Sequence, residues 1–252
     1  MSLNSLERLI GILDVFEEAP GVFTAEQLHD RLGYTRSTMY RYLKTLSDAG
    51  LLTSYHGSGF MLGPRVIELH TAMMTRDPLI LMSRGLMQSL SRRFKGTSRL
   101  CRRFRNKVLC VHQEAANDVA GMQIPVAHAQ ALVCGAASRV ILANLGAPQL
   151  RRVYDDNPHL FSTVGMGDDL LQVRRNLRRI RERGFEVGEG AGAGEGADGV
   201  TTVAAPVLDG GAIVIGSLCL TIAQTQLQEA RITAIAEEVM QAAEIVSHAL
   251  AA

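Results

Sequence analysis

Apolar positions in the first seventy residues recur at helical spacing in three short runs. Leu6, Leu9, Ile10, Leu13 and Phe16 follow the i, i+3, i+4, i+7 pattern of an amphipathic helix, and Pro20-Gly21 closes it. Asn4 with Glu7 three residues later predicts a capping box at its start. Val22-Phe23 reads as a short extended step. Thr24 with Gln27 repeats the cap pattern ahead of a short helix holding Leu28 and Leu32, stopped at Gly33. A third helix is predicted from Thr35, an N-cap residue, to Ala49, with Gly50 as its left-handed stop. Its apolar stripe is Met39, Leu43 and Leu46, which leaves Arg36, Tyr40 and Lys44 on the opposite face beside Ser37 and Arg41. Two short apolar segments, 51–55 and 60–62, flank His56-Gly57-Ser58-Gly59 and predict a hairpin. Helix, short strand, short helix, tight turn, polar-faced helix and small-tipped hairpin, in that order, predict a winged helix-turn-helix.

Beyond Pro64 the pattern changes twice. Val66, Ile67 and Leu69 predict a linker helix to about residue 75, and Asp77-Pro78 opens a longer helix closed near Gly96. From Thr97 the chain reads as strands, 100–104 and 108–112, around a polar turn at Arg105-Asn106-Lys107. A helix is expected over 133–145, ended by Gly146-Ala147-Pro148, and another from Asp168-Asp169 to Arg183 with Gly184 as its stop. Acids at its start and arginines at its end match the helix dipole. A glycine-rich loop (188–199), two apolar strands (200–207 and 212–222) turned by Asp209-Gly210-Gly211, and a terminal helix complete the chain. The second domain is thus α+β, with a mixed sheet flanked by helices. Boundaries are expected at 1–63 for the winged helix, 64–76 for the linker and 77–252 for the second domain.

Composition changes this picture little. Hydrophobic residues are 47% and charged residues 20% of 252, ordinary for a folded soluble chain. No apolar run reaches the roughly 18 residues of a membrane span, and the N-terminus lacks a basic, cleavable leader, so a cytoplasmic location is expected. Four scattered cysteines form no CxxC, which favours free thiols. The distribution of charge is more informative than the net +1. Residues 1–76 carry seven Lys/Arg and eight Asp/Glu, but three of those cations, Arg36, Arg41 and Lys44, fall within nine residues. One basic helix face is enough for a DNA footprint. Residues 77–187 carry eighteen and nine, and 188–252 one and eight.

The stretch Thr35-Arg-Ser-Thr-Met-Tyr-Arg-Tyr-Leu-Lys-Thr-Leu46, then Ala49-Gly-Leu51 and Phe60-Met-Leu-Gly-Pro-Arg65, resembles the IclR family of bacterial regulators. Arg181-Glu-Arg-Gly-Phe185 and Gly199-Val-Thr-Thr-Val-Ala-Ala-Pro-Val207 extend the resemblance to that family's effector domain; residues 97–165 match more loosely. The resemblance implies a GAF-like effector domain for small organic or aromatic acids, a homodimer or homotetramer, and DNA contacts from Ser37, Thr38, Tyr40 and Arg41. With the helix caps and wing tip, the candidate DNA-contacting set is Thr24, Thr35, Arg36, Ser37, Thr38, Tyr40, Arg41, Lys44, His56 and Ser58. Carried over position by position, the effector pocket falls on Ala136, Ala137, Thr202, Cys219 and Thr221. Ser138 stands where the family usually has glycine.

Motifs for chemistry are few. Gly194-Glu-Gly-Ala-Asp-Gly199 spells GxGxxG, but an apolar strand follows it, so no helix terminus is available to hold a pyrophosphate. GxSxG, SxxK and HExxH are absent, and the seven histidines are dispersed. No catalytic residue, cofactor or metal is expected. The cations at 92–107 admit three readings: a solvated face, a surface for a partner or for DNA backbone, and arginines that clamp a carboxylate. Strand alternation makes an inward Arg102 conceivable for the last. The sequence therefore predicts a ligand-responsive regulator of an operator in double-stranded DNA. The alternatives are an enzyme acting on a small acid, tethered by its DNA-binding module, and an architectural DNA binder with a degenerate sensor.

Overall fold

A computed structural model describes residues 4–19, 21–57, 59–116, 129–189, 199–210, 213–224 and 229–251. It divides into two compact units, residues 1–75 and 76–252.

In the first unit, α1 (Ser5–Glu18), α2 (Ala25–Leu32) and α3 (Arg36–Asp48) precede a hairpin of β1 (Leu52–Tyr55) and β2 (Gly59–Leu62). Both capping boxes form. Asn4 accepts from Leu6 and Glu7 N–H while Glu7 accepts from Asn4 N–H, and Thr24 and Gln27 do the same for α2. Gly33 turns the chain with φ +68°. The core joins Ile12, Val15 and Phe16 of α1, Leu28 of α2, Met39, Tyr42, Leu43 and Leu46 of α3, and Leu52. Tyr42 belongs to that core although the periodic stripe omits it; its hydroxyl reaches Ser5 Oγ at 2.8 Å, so the ring is buried with its polar tip satisfied. Phe23 bridges to Phe60 through two backbone hydrogen bonds of 3.0 and 2.8 Å, tying the step before α2 to the edge of the wing. A Cβ on Gly59 would lie 2.5 Å from Val22 Cγ1, so only glycine lets the hairpin close on that step.

Residues Arg65–Arg76 form α4, in which no residue is buried. The second unit opens with α5 (Pro78–Phe94), capped by Asp77. It then runs β3 (Thr97–Phe104), β4 (Lys107–Ala115), β5 (Ala129–Ala131), α6 (Gly135–Ala143), α7 (Ala147–Asp156), α8 (Pro158–Thr163) and α9 (Leu170–Arg183). The rest is β6 (Glu186–Glu189), β7 (Val200–Asp209), β8 (Ile213–Ala223) and α10 (Glu229–Ala249). Six strands form one sheet in the order β5-β4-β3-β8-β7-β6.

Every described pairing is antiparallel, where a mixed sheet was expected. A parallel neighbour needs a crossover. Here the helices α6 to α9 instead connect one sheet edge, β5, to the opposite edge, β6. The α+β class stands. Helices cover both faces: α5 and α10 lie on one, α6 on the other with α9 behind it. Three local expectations are corrected. Gly146-Ala147-Pro148 starts α7 instead of only ending α6, because proline at N1 or N2 suits a helix start. Asp169 is the N-cap of α9, accepting from Gln172 N–H at 2.7 Å, not a first-turn residue. Gly188 and Glu189, read as loop, belong to β6; residues 190–198, including most of the GxGxxG, lie outside the described residues.

Candidate nucleic-acid interface and effector site

On α3 the side chains divide cleanly. Met39, Tyr42, Leu43 and Leu46 are buried, while Arg36, Ser37, Tyr40, Arg41 and Lys44 are exposed. Tyr40 is 60% exposed, a large apolar ring left to solvent on a basic face. Arg41 lies over the Tyr42 ring at 5.4 Å, which steadies its stem and leaves its edge outward. Arg36 lies 3.6 Å from Glu26 of α2, a solvent-exposed contact worth little to stability. The remaining candidates differ. Thr35 caps α3 and donates to Thr38 Oγ1 at 2.9 Å, and Thr24 caps α2. Their hydroxyls are thus partly committed, and Thr38 is half-buried. His56 is exposed at the wing tip with φ +48°. Ser58 lies outside the described residues. Eight- and thirteen-residue helices joined at a left-handed glycine, the second with a polar, basic outer face, form a helix-turn-helix with a wing.

In the second unit the structure brings the effector candidates together. Thr202 of β7 pairs with Thr221 of β8, and Ala204 with Cys219, so all four share one face. The Thr202 and Thr221 hydroxyls are 2.8 Å apart. That face turns toward α6, whose Ala136 and Ala137 are in the same core cluster as Ala204 and Cys219. Gly188 pairs with Thr202, and a Cβ on Gly188 would lie 3.2 Å from Ala136 N. The start of α6 therefore packs on the strand next to Thr202. No side chain caps α6.

The residue that sequence reasoning missed is Arg99. It pairs with Cys219 on β8 and is 4% exposed. Its Nη2 donates to Thr221 Oγ1 at 2.9 Å and to Thr202 Oγ1 at 3.4 Å. Arg102, the arginine conceived as inward, instead ion-pairs with Asp77 at 2.6 Å on the α5 side. Both faces of β3 are covered, so alternation alone does not say which one meets Thr202 and Thr221. Among the described residues, Thr97 Oγ1 and Gln113 Oε1 on the same face as Arg99, and Ser138 Oγ on α6, are buried without hydrogen-bond partners. Cys101, Cys110 and Cys219 are free thiols in the same core cluster as Ala136 and Ala137. Hydrogen bonding to Cys101, reinforced by burial, pushes the Cys110 and Cys219 thiols up. The same bonds, with some help from the Arg99 charge, draw Cys101 down against its own burial. A separate open cleft of about 390 Å³ lies beside Arg139, Arg179 and Arg183; there Glu186 already pairs with Arg139 and Arg183.

Among the described residues no group of His, Cys, Asp and Glu could hold a metal ion, and no helix is long and apolar enough to cross a membrane. The profile of the IclR helix-turn-helix domain matches residues 5–54, and that of the C-terminal domain of bacterial IclR transcriptional regulators matches residues 71–248. The chain belongs to the IclR family. It is a DNA-binding transcriptional regulator, not an enzyme. The HTH-type transcriptional regulator XynR of Escherichia coli is 24% identical, covering 98% of this chain and 97% of that one. The regulator BhcR of Paracoccus denitrificans is also 24% identical, over 99% and 88%. Among solved structures, an IclR regulator from Silicibacter matches with TM-score 0.81 at 17% identity, covering 98% and 96%. An IclR homologue from Microbacterium hydrocarbonoxydans complexed with 4-hydroxybenzoate matches with TM-score 0.73 at 20% identity, over 98% and 99%. These likenesses agree with the IclR fold for both units.

Proposed function

We propose that this IclR-family regulator binds an operator through the outer face of α3, and that a small organic or aromatic acid held beneath α6 sets its affinity. Within this reading, residues 1–63 read DNA, 64–76 link, and 77–252 sense. The candidate DNA contacts are Thr24, Thr35, Arg36, Ser37, Thr38, Tyr40, Arg41, Lys44, His56 and Ser58, with Ser37, Thr38, Tyr40 and Arg41 foremost. The pocket residues are Ala136, Ala137, Thr202, Cys219 and Thr221.

The observation that carries the sensing role is the polar patch inside an otherwise apolar core. Nearly all buried polar atoms in folded proteins find a partner. Here Thr97 on β3 and Ser138 near the start of α6, both fully buried, have hydroxyls without one, and no side chain caps α6. A small polar ligand would satisfy them, whereas a purely structural core would have been built apolar. The Microbacterium homologue holds 4-hydroxybenzoate, which supports an aromatic acid as the ligand type. The protein would act as a homodimer or homotetramer, since one recognition helix reads only a few base pairs and two half-sites are needed. Exposed Leu6 and Ile10 on α1 and Ile67, Leu69 and Met73 on α4 are apolar positions such an assembly would cover.

The test is a melting-temperature screen of the whole protein against small carboxylates, followed by operator titration with each hit. A compound that both raises the melting temperature and changes operator affinity is expected. A compound that raises the melting temperature and leaves operator affinity unchanged would contradict the sensing role.

A further inference from the structure

We propose that the cleft between α6, α9 and β6 is a second ligand site, built for the dianionic head of a small phosphate monoester. None of the residues assigned to acid sensing lines this cleft, so the inference stands or falls apart from the sensing role.

The cleft encloses about 390 Å³ and is lined by Arg139 of α6, Arg179 and Arg183 of α9, and Glu186 of β6. A volume of this order is typical of small-molecule sites. Glu186 is buried and serves two of the arginines: it pairs with Arg183 and lies 3.6 Å from Arg139 Nη1. Among the described residues no other Asp or Glu lines the cleft, and Glu182, the one acid of α9, pairs with Arg178. Three guanidinium groups thus face one carboxylate, which leaves an excess of two positive charges. Like charges gathered in a cleft with low-dielectric walls concentrate the potential and favour an anion that balances them. A carboxylate or a sulfate ester brings one negative charge. A phosphate monoester brings nearly two at neutral pH.

The donors are held in place and are not used up. Arg139 Nη2 donates to Val164 O at 3.0 Å. Arg183 Nε donates to Phe185 O at 3.0 Å, with its guanidinium over the Phe185 ring. Each of these bonds fixes a plane but takes only one of the five N–H donors of its group. The 3.6 Å approach of Arg139 to Glu186 is too long for a hydrogen bond, and Arg139 Nε is buried without a partner. Arg179 is exposed and has no ion pair among the described residues. Guanidinium forks match a phosphate head well, since each can engage two oxygens at once. The rest of the lining suits an organic ester more than the bare ion. Asn176 Nδ2 donates to Met166 O at 2.9 Å, which leaves Oδ1 to accept from a hydroxyl. Met166 and Ile180 offer an apolar wall to a carbon skeleton.

The probes are glucose 6-phosphate, glycerol 3-phosphate and phenyl phosphate, each beside its sulfate ester and its parent alcohol. Sulfate keeps the tetrahedral head and removes one charge. Each compound is titrated calorimetrically into the full-length protein and into Arg179→Gln and Glu186→Gln. In the wild type at least one phosphate ester is expected to bind once per chain, tighter than its sulfate ester, while the alcohol does not bind. Arg179→Gln, a change at an exposed position, should weaken that ester by about 10-fold. Glu186→Gln removes the resident counter-charge, so it should bind the ester more tightly than wild type even as its melting temperature falls. A purely structural ion-pair network would lose stability in that variant and gain no affinity for an anion.

Sulfate and phosphate esters bound alike by the wild type would overturn the dianion assignment. Undiminished ester binding by Arg179→Gln would put the ester outside this cleft. Ester binding unchanged or weakened in folded Glu186→Gln would overturn the charge-excess argument; if that variant does not fold, Arg179→Gln and the preference for phosphate over sulfate decide. No ester bound at millimolar concentration by wild type that still binds DNA would overturn the proposal outright and leave the sensing role untouched.

Discussion

Single side chains decide the DNA half of the account. Arg41 is exposed on α3, stacked on Tyr42, and flanked by Ser37 and Tyr40. Arg41→Ala is expected to weaken operator binding by about 1–3 kcal/mol, the scale of one bidentate base contact. Fluorescence anisotropy at fixed salt checks this; wild-type affinity would remove α3 as the reader. Helix caps make a different kind of statement. Asn4 accepts two backbone N–H bonds at 3.0 and 2.9 Å, so Asn4→Ala should cost about 1 kcal/mol of stability, measured by urea unfolding, without a direct effect on DNA contacts. Residue-level chemistry of this sort was legible in the sequence because it is local: a cap and its N3 partner lie three residues apart. Arg99 was not legible. Its significance comes from Thr202 and Thr221, more than a hundred residues away in the chain, and no local pattern reports a partner at that distance.

At the level of elements, periodicity placed α1, α2, α3, α9, the wing and the β7–β8 hairpin, because each keeps one face for the core. It failed over 146–165. There Gly146 and Pro148 serve α7 as N-cap and first-turn residue, and a stop signal read alone hides the start behind it. It also failed to separate the two faces of β3, since a strand covered on both sides has no solvent face to mark the pattern. The buried strands yield a chemical prediction. Cys101, Cys110 and Cys219 are buried and only Cys134 is partly exposed. Folded protein should therefore give about one fast-reacting thiol with an aromatic disulfide reagent, the others appearing on unfolding. Fast modification of more than one thiol would show that this cluster is open. The wing has its own test. A Cβ on Gly63 would lie 2.2 Å from Gly50 O, so Gly63→Ala should destabilise the first unit by at least about 1–3 kcal/mol, read as a lowered melting temperature. An unchanged melt would contradict the close approach.

For the whole molecule, the claim is coupling: a ligand beneath α6 changes DNA affinity only by as much as it prefers one state of the assembly. Cys219→Phe puts a ring into a fully buried position beside Ala204 and Arg99, a change whose overpacking cost is about 1–3 kcal/mol and survivable. This variant should bind operator as wild type does and ignore the effector. Undiminished ligand binding by folded Cys219→Phe would place the pocket elsewhere. The most direct test of the account is operator affinity measured by anisotropy with and without a saturating hit acid, on a duplex selected from a randomised pool. Wild-type affinity should change by about 5- to 150-fold with the acid, the usual range of allosteric coupling, and Cys219→Phe affinity should not respond to it. Equal affinities for wild type with and without a bound acid would contradict the central claim.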